Sequence, residues 1–149
     1  MGVDRWLCLL AARQIVPGPF VVVGTGTAAT LDFVDHTGVH RGGYIVPGFR
    51  SLIGALGAST AQVQVKVRAG ATSASLEPGV DTRECVERGT SLMLLDFVEQ
   101  SIARFLRTDE HRASIVITGG DAATVSAHLT AAHRWVPDLV LDGLAVALP

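Results

Sequence analysis

The chain has 149 residues, with 14 acidic and 12 basic side chains for a formal charge of −2. Apolar residues make up 48% and charged residues 17%, which excludes a disordered tail, and no apolar run approaches the roughly 20 residues that span a bilayer. Near-neutral charge with scattered arginines argues against nucleic-acid binding, and a single lysine, Lys66, excludes any mechanism that needs two.

Asp4 is placed to cap a first helix whose apolar positions run to Ala12, and Pro17-Gly18-Pro19 breaks it. Asp4 ahead of the apolar stretch and Arg13 behind it do not match a targeting leader. Phe20–Val23 reads as a buried strand, because β-branched residues run there without alternation. Ala29–Val34 and Val39–Val46 follow as strands joined by a turn at Asp35–Gly38, so the first three strands form an antiparallel meander. Pro47 suits the first position of a helix from Phe49 that ends near Gly57. Gln62–Val67 alternates as an edge strand does, and Ala69–Pro78 is a loop of small residues.

A long helix is expected from Thr82, as its cap, to Arg107. Ser114–Ile117 is a short strand that stops at Thr118-Gly119-Gly120-Asp121, where Asp121 caps a helix to about His133. Leu139–Leu141 reads as a last strand, followed by Gly143 and a terminal apolar turn. A meander followed by βαβ units describes one α/β domain over residues 1–149, a mixed sheet with helices on both faces. Cys8 and Cys85 lack any paired motif and read as buried free thiols in a reducing cytoplasm. His36 and His40 flank the Thr37-Gly38 turn and read as hairpin surface, with no zinc-site spacing.

Two glycine-rich loops are candidates for chemistry. In Gly24-Thr25-Gly26-Thr27-Ala28, backbone N–H groups and hydroxyls can converge on phosphate oxygens, although a tight hairpin turn explains the same residues. It is neither a Walker A loop nor a GxGxxG motif. Thr118-Gly119-Gly120-Asp121 lies between a strand and a helix N-terminus, where glycines admit a flat nucleoside, and an ordinary capped turn is again the simpler account.

The segments are more specific as an ordered set. Gly2-Val3-Asp4-Arg5, Gly24–Ala28, Gly42-Gly43-Tyr44-Ile45-Val46-Pro47-Gly48, Thr60-Ala61, Asp81-Thr82, Thr118–Asp121 and Asp138–Leu144 together resemble type III pantothenate kinase, over essentially the whole chain. The resemblance implies a ribonuclease H-like half of the actin-like and sugar-kinase ATPase fold. It corresponds to the second half of that enzyme, without the first half and its Asp-x-Gly-Asn-Thr phosphate loop. The implied activity is ATP-dependent phosphorylation of pantothenate to 4'-phosphopantothenate, in coenzyme A synthesis in the cytoplasm.

By this resemblance Asp4 is the general base, and Gly2, Val3, Arg5 and Thr82 contact pantothenate. Gly26 and Thr27, with Gly119 and Gly120, bind ATP, which carries Mg2+. Gly24 stands where the family has the aspartate that serves a monovalent cation such as K+. The family also implies a homodimer, or pairing with a partner that carries the first half. The alternative expectation is a non-catalytic half-protein that serves as a dimerisation or regulatory partner.

Overall fold

The computed structural model of the chain describes residues 1–59, 75–108 and 112–148. The elements run α1 (Val3–Ile15), β1 (Phe20–Thr25), β2 (Ala28–Val34), β3 (His40–Pro47), α2 (Phe49–Ser59) and α3 (Thr82–Leu106). They continue with β4 (Ser114–Thr118), α4 (Ala122–His128), β5 (Arg134–Trp135) and α5 (Leu139–Ala147). The five strands form one mixed sheet in the order β3-β2-β1-β4-β5. β1, β2 and β3 are the expected antiparallel meander, while β4 runs parallel to β1 and β5 parallel to β4.

Alternation along the central strands divides the core in two. Val21, Val23, Leu31, Ile115 and Ile117 point to one face and pack under α2, α3 and α4, through Phe49, Val98, Ile102 and Val125. Phe20, Val22, Val34 and Val116 point to the other face and meet Cys8, Ala12 and Leu139 of α1 and α5. Val98 and Ile102 are almost fully buried, and each such side chain contributes roughly 1.5–3 kcal/mol. That burial, together with the Asp81 cap, holds the 25-residue α3 on the sheet.

Helix ends and the last element depart from the sequence expectation. Gly2, not Asp4, holds the N-cap position of α1, with Trp6 N–H donating to its carbonyl, so Asp4 lies inside the first turn. Asp81 caps α3 by accepting from Glu84 N–H at 2.7 Å, which makes Thr82 the first helical residue. Pro47 ends β3, and Gly48 supplies the carbonyl that opens α2, which runs to Ser59. α4 stops at His128 because Leu129 turns extended, and the Asp121 side chain makes no cap bond.

Leu139–Leu141 is helix rather than strand. Leu139 and Gly143, four apart, are the buried positions of α5, and a Cβ at Gly143 would strike the Leu7 backbone of α1. A three-residue apolar run cannot show that period by itself. The last strand is instead the pair Arg134–Trp135. Cys8 is buried as expected, but Cys85 is exposed, because it sits in the first turns of α3 beyond the sheet-packed part. The expected strand Gln62–Val67, most of the small-residue loop, Lys66 and Thr60-Ala61 lie outside the described residues. Among the described residues no helix is long and apolar enough to cross a membrane.

Candidate functional site

The sheet face beneath α1 changes character along its length. Phe20, Val22 and Val116 make it apolar, but toward the carboxyl ends of β1 and β4 the same face presents Gly24, Thr30, Asp32 and Thr118. The carboxyl ends of parallel strands are where the backbone turns away and leaves room for a ligand. Here they border a pocket of about 300 Å³, with Asp4, Arg5 and Cys8 of α1 on one wall and Gly119 and Pro137 on another.

Asp32 dominates this pocket. It is 2% exposed, in the middle of β2, and three donors engage it. Arg5 Nε donates to Oδ2 at 2.8 Å and Arg5 Nη2 to Oδ1 at 2.5 Å, while His40 Nε2 lies 2.7 Å from Oδ1. Hydrogen bonding to Asp32 holds the Arg5 guanidinium above its ordinary pKa, with burial opposing. Gly43 makes room for the arrangement, since a Cβ there would press on Asp32 Oδ1 and Arg5 Nη2. Burial, with the nearby Asp4 and Asp32 charges, pushes the Cys8 thiol up to about 11, so it carries no charge near neutral pH. His40 is therefore a partner of a buried carboxylate rather than plain hairpin surface. The hairpin turn is organised by Asp35, whose Oδ1 accepts from Thr37 N, Thr37 Oγ1 and Val39 N.

The two glycine-rich segments meet beside this pocket. β1 extends through Thr25, so Gly24 is a strand residue and only Gly26-Thr27 forms the turn. Thr25 Oγ1 donates to Thr118 O at 3.1 Å, and Asp121 N donates to Thr25 O at 3.3 Å. Gly119 has φ +103°, and a Cβ there would collide with the Thr25 carbonyl. From the other side, Gly48 N and Ser51 Oγ both donate to Thr27 O, at 2.9 and 2.8 Å. The Gly26-Thr27 turn is thus fixed against the start of α2, with Thr27 exposed.

Asp4, Arg5, Gly24 and Gly119 are brought to one pocket, while Gly26 and Thr27 lie in the turn held against the start of α2 and Gly120 follows Gly119. Gly2 and Val3 precede Asp4 at the exposed start of α1. Thr82 is not among them. α3 packs on the opposite sheet face, and Thr82 lines a different, larger cavity of about 880 Å³ with Leu52, Leu56 and Met93. The sequence reading gives no role to Asp32 and treats His40 as hairpin surface. The available signal was an acidic residue inside the otherwise apolar run Leu31–Val34.

The residues do not fit a cation held by a carboxylate at position 24. A Cβ on Gly24 would lie 2.7 Å from Thr30 Oγ1, its partner across the strands, so that hydroxyl fills the space. Among the described residues no three His, Cys, Asp or Glu side chains converge as a metal-ligand set.

A family model described as type III pantothenate kinase matches residues 1–104. A type III pantothenate kinase of Azotobacter vinelandii is 41% identical over 151 positions that cover all of this chain. The chain spans about 60% of the length of that curated relative. Among solved structures, a conserved Baf family transcriptional activator from Campylobacter jejuni superposes with a TM-score of 0.68 at 21% identity, over 98% of this chain and 62% of that one. A 2-dehydro-3-deoxygalactonokinase protein from Sinorhizobium meliloti gives 0.57 at 18% identity, over 96% of this chain and 58% of that one. The activator of 2-hydroxyisocaproyl-CoA dehydratase from Clostridium difficile, with bound ADPNP, gives 0.52 at 10% identity, over 97% and 65%. The fold is accordingly an α/β half of the actin-like and sugar-kinase ATPase type.

Proposed function

The chain belongs to the type III pantothenate kinase family, and from that premise we propose that its pocket serves ATP-dependent phosphorylation of pantothenate in the cytoplasm. The observation that carries this reading is one pocket walled both by Asp4 and Arg5 and by the glycine segments at the ends of β1 and β4. Asp4 lies in the first turn of α1 and lines this pocket. There it takes the proton of the substrate hydroxyl as the γ-phosphoryl departs, and Gly2, Val3 and Arg5 hold the rest of pantothenate. Gly26, Thr27, Gly119 and Gly120 present backbone and hydroxyl groups to the nucleotide, and Mg2+ enters with ATP. Thr82 contributes from a second copy in a homodimer, since its own chain holds it on the far side of the sheet.

A specific observation favours a second reading, a non-catalytic half-protein that serves as a dimerisation or regulatory partner. Gly24 brings no carboxylate, and Thr30 occupies the space one would need. One experiment separates the two: purified chain with ATP, Mg2+ and pantothenate, with 4'-phosphopantothenate followed by mass spectrometry and pantothenate binding by calorimetry. Turnover that falls about 10²–10⁴-fold in Asp4→Asn supports the kinase. Absence of turnover, with or without pantothenate binding, supports the second reading, and absence of binding overturns the kinase.

A further inference from the structure

The charges around the pocket pose a problem for an anionic substrate. Asp4 and Asp32 bring two carboxylates to its wall, and Arg5 brings one guanidinium. The side-on pair commits Arg5 Nε and Nη2 to Asp32, which leaves Nη1, the nitrogen Asp32 does not engage. A small carboxylate that approached this wall would therefore meet net negative charge unless a further cation joined. His40 is the side chain in place to supply it. Its Nε2 reaches the same Asp32 Oδ1 that Arg5 uses, and its side chain is 30% exposed, so a proton can reach the ring from solvent.

We propose that Asp32 and His40 are positioning residues for the substrate arm, with Asp32 fixing the Arg5 guanidinium and protonated His40 supplying the positive charge that admits a carboxylate. This rests on the kinase reading above for the identity of the carboxylate. Shared use of Oδ1 ties the two cations together, because each donor that Asp32 accepts orients the carboxylate for the other. Other charged and titratable groups lie on the elements around the Asp32–His40 pair. Asp4, Arg5 and the Cys8 thiol lie on α1, Asp35 follows Asp32 at the end of β2, and Arg41 is next in β3, 3.8 Å from Asp35. His36 lies across the hairpin turn. The thiol, pushed up to about 11, carries no charge between pH 5.5 and 8.5. A free carboxylate such as pantothenate's is ionised throughout that range.

The test is pantothenate affinity by calorimetry at pH 5.5 and 8.5, on either side of the range in which imidazoles titrate. It compares the wild-type chain with His40→Gln and Asp32→Asn, the fold of each checked by circular dichroism. The wild type should bind about tenfold more tightly at pH 5.5, and His40→Gln should lose that difference. Folded Asp32→Asn should bind at least tenfold more weakly at both pH values. Where Asp32→Asn does not fold, the wild type and His40→Gln decide. Wild-type affinity equal at the two pH values, a full pH effect kept in His40→Gln, or tight binding by folded Asp32→Asn overturns the proposal while the kinase reading stands. Failure of the wild type to bind at either pH overturns the kinase reading and this inference with it.

Discussion

Arg5 and Asp32, 27 positions apart, meet side-on through two hydrogen bonds of 2.8 and 2.5 Å, which tie the first turn of α1 to the middle of β2. Asp32 is nearly inaccessible, while the Arg5 side chain keeps 20% of its surface in contact with water. Removing either partner has unequal consequences for that reason. Asp32→Ala strands a guanidinium that was held by two charge-assisted bonds, and should cost about 1–3 kcal/mol. Arg5→Ala leaves the Asp32 carboxylate buried with only His40, and should cost at least as much. Urea titration of both single variants and the double variant checks this. Additive losses would show that the pair is not coupled.

Gly143 sets how closely α1 and α5 approach. A methyl group at this position has no space against the Leu7 carbonyl, so Gly143→Ala should push the helices apart and destabilise the chain by about 1–3 kcal/mol, despite alanine's better helix propensity. Gly54, in α2, faces open space. The same change there should stabilise by a few tenths to 1 kcal/mol. Midpoints of denaturant unfolding for the two variants should move in opposite directions.

The two cysteines should differ sharply toward alkylation. The Cys8 thiol is buried and raised to about 11, so at pH 8 only about one molecule in a thousand is thiolate in the folded state. Cys85 is exposed. Iodoacetamide at pH 8 should label Cys85 alone until denaturant is added, as peptide mass mapping would show. The raised value also fixes a sign. In the unfolded chain Cys8 loses its proton near pH 9, while the folded state retains it to about 11. Stability should therefore decline as pH rises through that window, and Cys8→Ala should lessen the decline.

Asp35 gives the opposite pH response. The Thr37 hydroxyl, the Val39 and Thr37 N–H groups and Arg41 hold its carboxyl below the ordinary carboxylate value, in that order of importance, with burial opposing. A lowered value means that its stabilising effect is present above the unfolded-state value and is lost as pH falls through the folded one. Protection of the Thr37 and Val39 amides, taken relative to the intrinsic exchange rate at each pH, should be lost only below the ordinary carboxylate value of about 3.9, and in Asp35→Asn it should be lower already at pH 7.

Gly24→Asp tests the cation position. Its Cβ would lie 2.7 Å from Thr30 Oγ1, so the single substitution should lower the melting temperature. Combining it with Thr30→Ala removes the obstructing hydroxyl and should recover most of that loss, a coupling visible in a double-mutant cycle. On the kinase reading, the double variant should also show turnover that rises with potassium where the wild type shows none. Equal melting temperatures for the Gly24→Asp single and double variants would mean that Thr30 is not the obstruction.

Much of this architecture was legible in the sequence, because its signals are local. The β-branched run Phe20–Val23, the Asp35–Gly38 turn and the strand ending at Thr118-Gly119 each declare themselves within a few residues, and the three meander strands lie where that reading put them. The ordered motifs from Gly2 to Asp138 likewise sufficed for the family. Tertiary structure decided the rest. Leu139–Ala147 is helix because Gly143 docks on Leu7, 136 positions away, and no local pattern carries that contact. Thr82 stands apart from Asp4 because alternation along β1 sends α3 and α1 to opposite faces of the sheet. Asp32 and His40 matter because folding places a carboxylate in a nearly dry site, where it must be paired, and Arg5 and His40 are the donors that the packing of α1 and β3 delivers.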